Sequence, residues 1–291
     1  MSDNIIGQIN LKALLKAQIK SETLPRFMII VAPKGSGKQL ISEWIPMQIP
    51  ELTYSYVLSD VKVDTIRNMI EQSYTNKNKT FYIIPNADKM SVAAKNALLK
   101  VTEEPPNNSY FIMTLEDIEQ TLDTIRSRGT VYYMDPYTPD NISDYYYSKY
   151  QHDHSIEEIG IVKNLCQTPG EVDTLVNECG VIAFYDYVKL VVDNIAKVSG
   201  SNAFKIGDKL KFKDTDSGKY DLTLFWKAFM SICVERIDDT KYIYGIAPTS
   251  RALQELRIKG INKQALFDKW LLQIRERWMD YYGIDNCETA D

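Results

Sequence analysis

Two rhythms of apolar and polar positions alternate along the first 135 residues. Five short apolar runs, at 26–31, 54–58, 81–84, 110–113 and 131–134, are nearly continuous and rich in β-branched and aromatic side chains. Continuous rather than alternating apolar character marks strands of a parallel sheet buried on both faces. Between the runs, segments 38–46, 61–74, 90–103 and 116–127 repeat their apolar positions at helical spacing. Strand and helix in regular alternation predict an open α/β sheet with helices on both faces. At Asp135-Pro136-Tyr137-Thr138-Pro139-Asp140 the pattern breaks, and beyond it the strand signal fades. Residues 139–178 read as short helices, and a longer helical section runs from 180 to 283, interrupted by a polar loop at 205–219. The expected organisation is an α/β domain over 1–135, a small helical piece over 136–178 and an all-helical domain over 179–291.

Composition narrows the function classes. At 291 residues the chain is long enough for two or three domains at roughly 150 residues each, and it needs no disulfide or metal staple to hold a core. No apolar run approaches the length of about 20 residues needed to span a bilayer, and the N-terminus lacks the basic and apolar regions of a signal peptide. A cytoplasmic protein without a membrane partner is expected. The formal net charge of −5 argues against a stand-alone nucleic-acid binder but allows local phosphate contacts. The four cysteines, Cys166, Cys179, Cys233 and Cys287, form no CxxC pair, and only His152 and His154 could supplement them, so no zinc site is expected. Scattered thiols suit a reducing compartment. Lysines in the 205–219 loop alternate with Asp208, Asp214 and Asp216, the pattern of a solvated loop. Tyr145, Tyr146, Tyr147 and Tyr150 lie at helical spacing and read as packing residues rather than base-stacking platforms.

The first apolar run leads into Ala32-Pro33-Lys34-Gly35-Ser36-Gly37-Lys38-Gln39, and a helical pattern follows. Strand, glycine-rich turn, lysine and helix are the context of a P-loop, in which backbone N–H groups cradle phosphates and the lysine reaches the outer ones. Gly35, Ser36, Gly37, Lys38 and Gln39 are therefore the candidate nucleotide-binding residues. The motif is degenerate at both ends. Ala32 stands in place of the first Gly, and Gln39 in place of the Ser or Thr whose hydroxyl would meet Mg²⁺. A glycine-rich turn that binds nothing is the other reading of the same residues. The run 81–84 ends in Pro85-Asn86, with no carboxylate to hold a metal ion or activate water. Asp88 comes too late and belongs to the turn before the helix that starts near Ser91. A missing general base alone is worth about 10²–10⁴ in rate. The chain is not expected to be an ATPase by itself.

Ala87-Asp88-Lys89-Met90, continuing through Asn96-Ala97-Leu98-Leu99-Lys100 to Glu103-Glu104-Pro105-Pro106, resembles a signature stretch of DNA polymerase clamp-loader subunits. Tyr110-Phe111-Ile112-Met113-Thr114 and Leu122-Asp123-Thr124-Ile125-Arg126-Ser127-Arg128-Gly129 resemble the family's next block at the right spacing. Weaker likeness extends to Ile5-Ile6-Gly7-Gln8, Val63-Asp64-Thr65-Ile66-Arg67, Gln167-Thr168-Pro169-Gly170-Glu171-Val172 and the helix around 261–272. The chain is most similar to the delta-prime branch of the bacterial DNA polymerase III loader, including its phage and plasmid versions. Two departures stand out. The four-Cys zinc module of many bacterial relatives is absent, and Gly129 replaces the Cys of the family's Ser-Arg-Cys motif.

The resemblance implies an AAA+ P-loop domain, a helical lid and an all-α collar used in oligomerisation. It implies a clamp-loader subunit of a DNA replication complex that does not hydrolyse ATP. Arg128 would then act in trans as an arginine finger on a neighbour's ATP site. The lid turn of such subunits carries Gly where active subunits carry Arg, and Gly170 is that position. The implied partners are other clamp-loader AAA+ subunits, the sliding clamp and, through the assembled ring, primer-template DNA. Thr65, Arg67 and Lys95 fall near positions that track the DNA backbone; solvated residues on an amphipathic helix are the equal alternative. Glu103 and Glu104 precede a helix-ending Pro pair and are assigned no catalysis. Two further readings remain open. One is an active ATPase of the replication-factor-C type, against which Gln39, Pro85 and Asn86 all stand. The other is a member that holds ATP on Lys38 and the Gly35–Gly37 backbone without hydrolysing it.

Overall fold

The structure, a computed structural model, describes residues 5–49, 51, 53–150, 155–212, 218–258 and 260–282. It divides into two compact units, one of residues up to Asn141 together with Thr168–Gly170, the other of Ile142–Gln167 and the chain from Glu171 onward.

The first unit is a five-stranded parallel sheet with helices on both faces. In chain order its elements are α1 (Ile9–Lys20), β1 (Phe27–Val31), α2 (Lys38–Met47), β2 (Tyr54–Val57), α3 (Val63–Thr75), β3 (Thr80–Ile84), α4 (Val92–Glu103), β4 (Ser109–Leu115), α5 (Asp123–Arg126) and β5 (Thr130–Tyr133). The strand order is β2-β3-β4-β1-β5, with all neighbours parallel. Strand β1 shows why the central runs read as unbroken apolar stretches. Phe27, Ile29 and Val31 join one core with Ile66, Met69, Leu98 and Val101 of α3 and α4. Met28 and Ile30 join the other with Leu11, Leu15, Ile41 and Ile45 of α1 and α2. Successive side chains point to opposite faces and both faces are covered, so every position must be apolar.

Two expectations from the pattern are corrected, and one helix that it passed over is added. Strand β2 is not buried: Tyr54, Ser55 and Tyr56 are exposed, because β2 is an edge strand paired only with β3 among the described residues. Segment 116–127 is not one helix but a 3₁₀ turn at Ile118–Gln120, an extended Thr121-Leu122 link and the single turn α5. Ile118, Leu122 and Ile125 still reach one core cluster, so helical spacing is satisfied by two separate turns. Helix α1, which the reading of apolar periods passed over, is anchored by Leu11 and Leu15, four apart on one face. Its entry is fixed by buried Gln8, whose Nε2 donates to the Asp135 carbonyl (2.7 Å) and whose Oε1 accepts from the Asp135 N–H (2.8 Å).

The second unit is helical. It contains the body of α6 (Pro139–Tyr150), α7 (Ile156–Leu165), most of α8 (Pro169–Thr174), α9 (Val181–Asn194), α10 (Gly200–Phe204), α11 (Leu222–Glu235), α12 (Thr240–Glu255) and α13 (Lys263–Tyr282). Two-residue strands β6 (Leu210–Lys211) and β7 (Tyr220–Asp221) pair in parallel across the polar loop. Asp214 and Asp216 of that loop lie outside the described residues, as do His152, His154 and Cys287. The core of the unit is aromatic. Trp226, Trp270 and Trp278 are all buried: Trp270 packs against Phe225, Phe229, Phe267 and Trp226, mostly edge-on, and Trp278 stacks on Phe229, so their place is in the core.

Tyr145 and Tyr150 donate to the Asp173 carboxylate, and Tyr146 is buried. Tyr145, Tyr146 and Tyr150 are thus structural, while Tyr147 is exposed. Cys166, Cys179 and Cys233 are buried free thiols, and burial pushes the Cys233 thiol up to about 12. Among the described residues no helix is long and apolar enough to cross a membrane.

Candidate nucleotide and arginine sites

The P-loop leaves the C-terminal end of β1, beside β4, where the order of the sheet reverses direction and open α/β sheets place their ligands. Gly35 and Gly37 have φ of +80° and +79°, values that side-chain-bearing residues rarely adopt. Ser36 is buried, and its carbonyl accepts from the Tyr137 hydroxyl (2.8 Å). The local fold is that of a phosphate loop followed by helix α2.

Its chemistry differs. The Lys38 ammonium donates to the carbonyls of Ala32 (2.7 Å) and Pro33 (3.0 Å), turning back into its own loop. Burial pushes its pKa down, and the nearby Glu116 and Asp88 carboxylates partly offset that. Gln39 donates along the helix surface to Glu43 (2.7 Å). At the end of β3, Asn86 takes a left-handed φ of 51° and donates its N–H to the Thr114 hydroxyl. Asp88 lies in the 3₁₀ turn before α4, as its sequence position suggested, and accepts from the Glu116 N–H. Glu116, which pattern reading did not single out, thus joins Asp88 as a carboxylate acting electrostatically on Lys38.

The residues present do not fit a Mg²⁺-nucleotide. Nothing hydroxylic stands at Gln39, and the lysine is bonded to the loop itself. The loop crest is also covered. The Gly170 N–H donates to the Gly35 carbonyl at 3.0 Å. A Cβ on Gly170 would lie 2.5 Å from the Gly35 Cα, a distance real Cβ atoms do not reach.

Arg128 follows α5. Its guanidinium donates to the Thr124 carbonyl (2.6 Å) and pairs with Glu103 at 3.3 Å, and its side chain is 30% exposed. Glu103, assigned no catalysis from the sequence, pairs with the arginine and helps position it. Gly129 explains its own departure from the family pattern. A Cβ there would lie 2.7 Å and 2.8 Å from Ile29 side-chain carbons and 2.9 Å from the Phe27 ring. Gly129→Ala is expected to destabilise the first unit by about 1–3 kcal/mol through overpacking, read as a lower urea midpoint at unchanged slope. Gly129→Cys, with a larger group in the same space, should cost more.

The three candidate phosphate contacts sit near the starts of α3 and α4. The Thr65 hydroxyl donates to Asp60 at 2.6 Å. That bond chiefly holds the Asp60 carboxyl below its usual range. Arg67 is 64% exposed and 3.8 Å from Asp64. Lys95 donates to the Gln120 carbonyl. Helix α4 is capped by Ser91, whose hydroxyl accepts from the Ala94 N–H.

A family model described as DNA polymerase III, delta subunit, matches residues 47–138. Over 79 residues the chain is 33% identical to the DNA polymerase III subunit delta' of Yersinia pestis, covering 26% of this chain and 23% of that protein. Over 152 residues it is 26% identical to the replication factor C small subunit of Haloarcula marismortui, covering 49% of this chain and 46% of that protein. The chain thus spans less than half the length of these curated relatives. A mutant of Thermotoga maritima RuvB superposes with a TM-score of 0.50 at 14% identity, covering 96% of this chain and 88% of that one. At that identity the likeness is of fold, and the fold is the α/β P-loop architecture of AAA+ proteins followed by helical parts.

Proposed function

In its matched segment the chain is of the clamp-loader delta-prime type, and from that premise we propose that it is a non-hydrolysing subunit of a DNA replication clamp loader. In this reading it sits among other AAA+ loader subunits and presents Arg128 to the ATP bound by a neighbour. A guanidinium in trans stabilises the charge that builds on the γ-phosphoryl group, worth about 10³–10⁵ in rate. The observation that carries the proposal is an asymmetry. Arg128 is held at the surface by Thr124 and Glu103, while strand β3 runs out into Pro85 and Asn86, where a hydrolysing site would carry metal-holding carboxylates.

The sliding clamp and primer-template DNA are the partners of the assembled ring in this proposal. Arg67 is the side chain best placed for a phosphate contact, since Thr65 and Lys95 would first have to leave Asp60 and the Gln120 carbonyl. Such contacts position DNA without reading its sequence.

Assembly is the direct test. Co-expression with candidate AAA+ loader subunits should give one complex of defined mass that hydrolyses ATP when clamp and primed DNA are added. The purified chain alone should hydrolyse none. Rapid multiple turnover by the isolated chain, or failure to enter any loader complex, would remove the proposal.

A further inference from the structure

A P-loop accepts phosphate when three groups are open to it: the inward backbone of its glycines, the lysine ammonium and the start of the following helix. Here the lysine is engaged by the protein, and the crest of the glycine backbone is covered through its carbonyl side. The Lys38 ammonium bonds two carbonyls of its own loop. Gly35 is met by Thr168–Gly170, the three residues of the later chain that cluster with the first unit. The contact is backbone to backbone. Gly170 N–H donates to Gly35 O, and a Cβ on Gly35 would fall 2.9 Å from Gly170 Cα and 2.8 Å from Thr168 Oγ1. The Tyr137 hydroxyl braces the neighbouring Ser36 carbonyl.

We infer that the ligand of this P-loop is the chain's own Thr168-Pro169-Gly170 turn, seated on the loop crest so that a nucleotide triphosphate is excluded. Glycine at both 35 and 170 makes the seat possible, because either Cβ would collide with the facing backbone. A Ser or Thr restored at position 39 would therefore not restore nucleotide binding by itself; the turn would also have to leave. The inference rests on the loop geometry and not on Arg128, so it can fail while the proposed subunit role stands, and the reverse.

The test uses the full chain, wild type and Gly170→Ala, with two readouts. One is equilibrium binding of a fluorescent ATP analogue in the absence of Mg²⁺, since no hydroxyl stands at position 39 to meet the metal. The other is amide exchange of the peptide containing Gly170, followed by mass spectrometry. In the wild type the Gly170 amide should be protected and the analogue should not bind saturably up to millimolar concentration. In Gly170→Ala the clash at 2.5 Å should unseat the turn. The amide should then exchange faster, and analogue affinity should rise about tenfold or more. Adding Lys38→Ala should abolish that gain. Saturable wild-type binding with the amide still protected would overturn the inference, as would an unprotected wild-type amide. A released turn without any gain in binding would do the same. If Gly170→Ala does not fold, the two wild-type measurements decide the question alone.

Discussion

In a loader assembled with Arg128→Ala, hydrolysis at the ATP site facing this chain is expected to fall by about 10³–10⁵ while the complex keeps its mass. Both halves follow from the side chain's setting. Arg128 makes two local contacts, with the Thr124 carbonyl and the exposed Glu103. An ion pair of this exposure contributes about 0–1 kcal/mol, so removing it should barely change the chain's own stability. A transition-state contact is worth several times more, because it acts where charge develops and water is excluded. Any other ATP sites in the assembled complex would mask a loss at one of them, so the decisive readout is ATP hydrolysed per complex in the first turnover. Arg128→Lys should not rescue the rate, since a lysine offers a point charge where the phosphoryl group meets a planar fork of donors. Glu103→Gln should give a smaller loss, because it loosens the arginine without removing it. First-turnover hydrolysis unchanged in Arg128→Ala would remove the trans role, whatever the assembly measurement shows.

The central strands were legible because burial on both faces leaves a sequence no freedom: Phe27 to Val31 must all be apolar, and they are. The P-loop was legible because glycines at 35 and 37 answer a backbone requirement, a positive φ, that few other residues meet. What escaped depends on residues far apart in the chain. Strand β2 carries the same residue types as the inner strands, and only the strand order reveals it as an edge. Segment 116–127 is the exception, a local miss: it has helical spacing, yet Asp117 accepts from the Glu119 N–H two residues on and caps a 3₁₀ turn that ends the helical reading after three residues. The long-range cause holds again at the site. Gly129 looks like the loss of a cysteine until Ile29 and Phe27 are seen to fill its space, and Gly170 meets Gly35 across more than a hundred residues of chain. Steric exclusion of this kind leaves no periodicity for a pattern to catch.

Trp270→Ala is expected to cost about 3–5 kcal/mol, enough to unfold the helical unit or leave it marginal. Trp270 is 1% exposed, and its ring lies 5.0 Å from Phe229, 5.6 Å from Phe267, 5.7 Å from Phe225 and 5.9 Å from Trp226. The ring thus joins α11 to α13, and its Nε1 donates to the Thr249 hydroxyl of α12 at 2.9 Å. That hydroxyl in turn donates to the Gly245 carbonyl at 2.7 Å, within a helix that also contains Pro248. Truncation would open a cavity walled by four large rings, three held on α11 and one on α13, which cannot all move into the space together. Trp270→Phe keeps most of the apolar volume and leaves only an acceptor lone pair on Thr249 without its partner, so a loss of about 1–2 kcal/mol is expected. Urea unfolding followed by far-ultraviolet circular dichroism should show the difference as a shift in the transition of the helical unit. The chain has two compact units, so that transition need not coincide with the sheet's. Equal midpoints for wild type and Trp270→Ala would mean that the aromatic cluster does not hold this unit together.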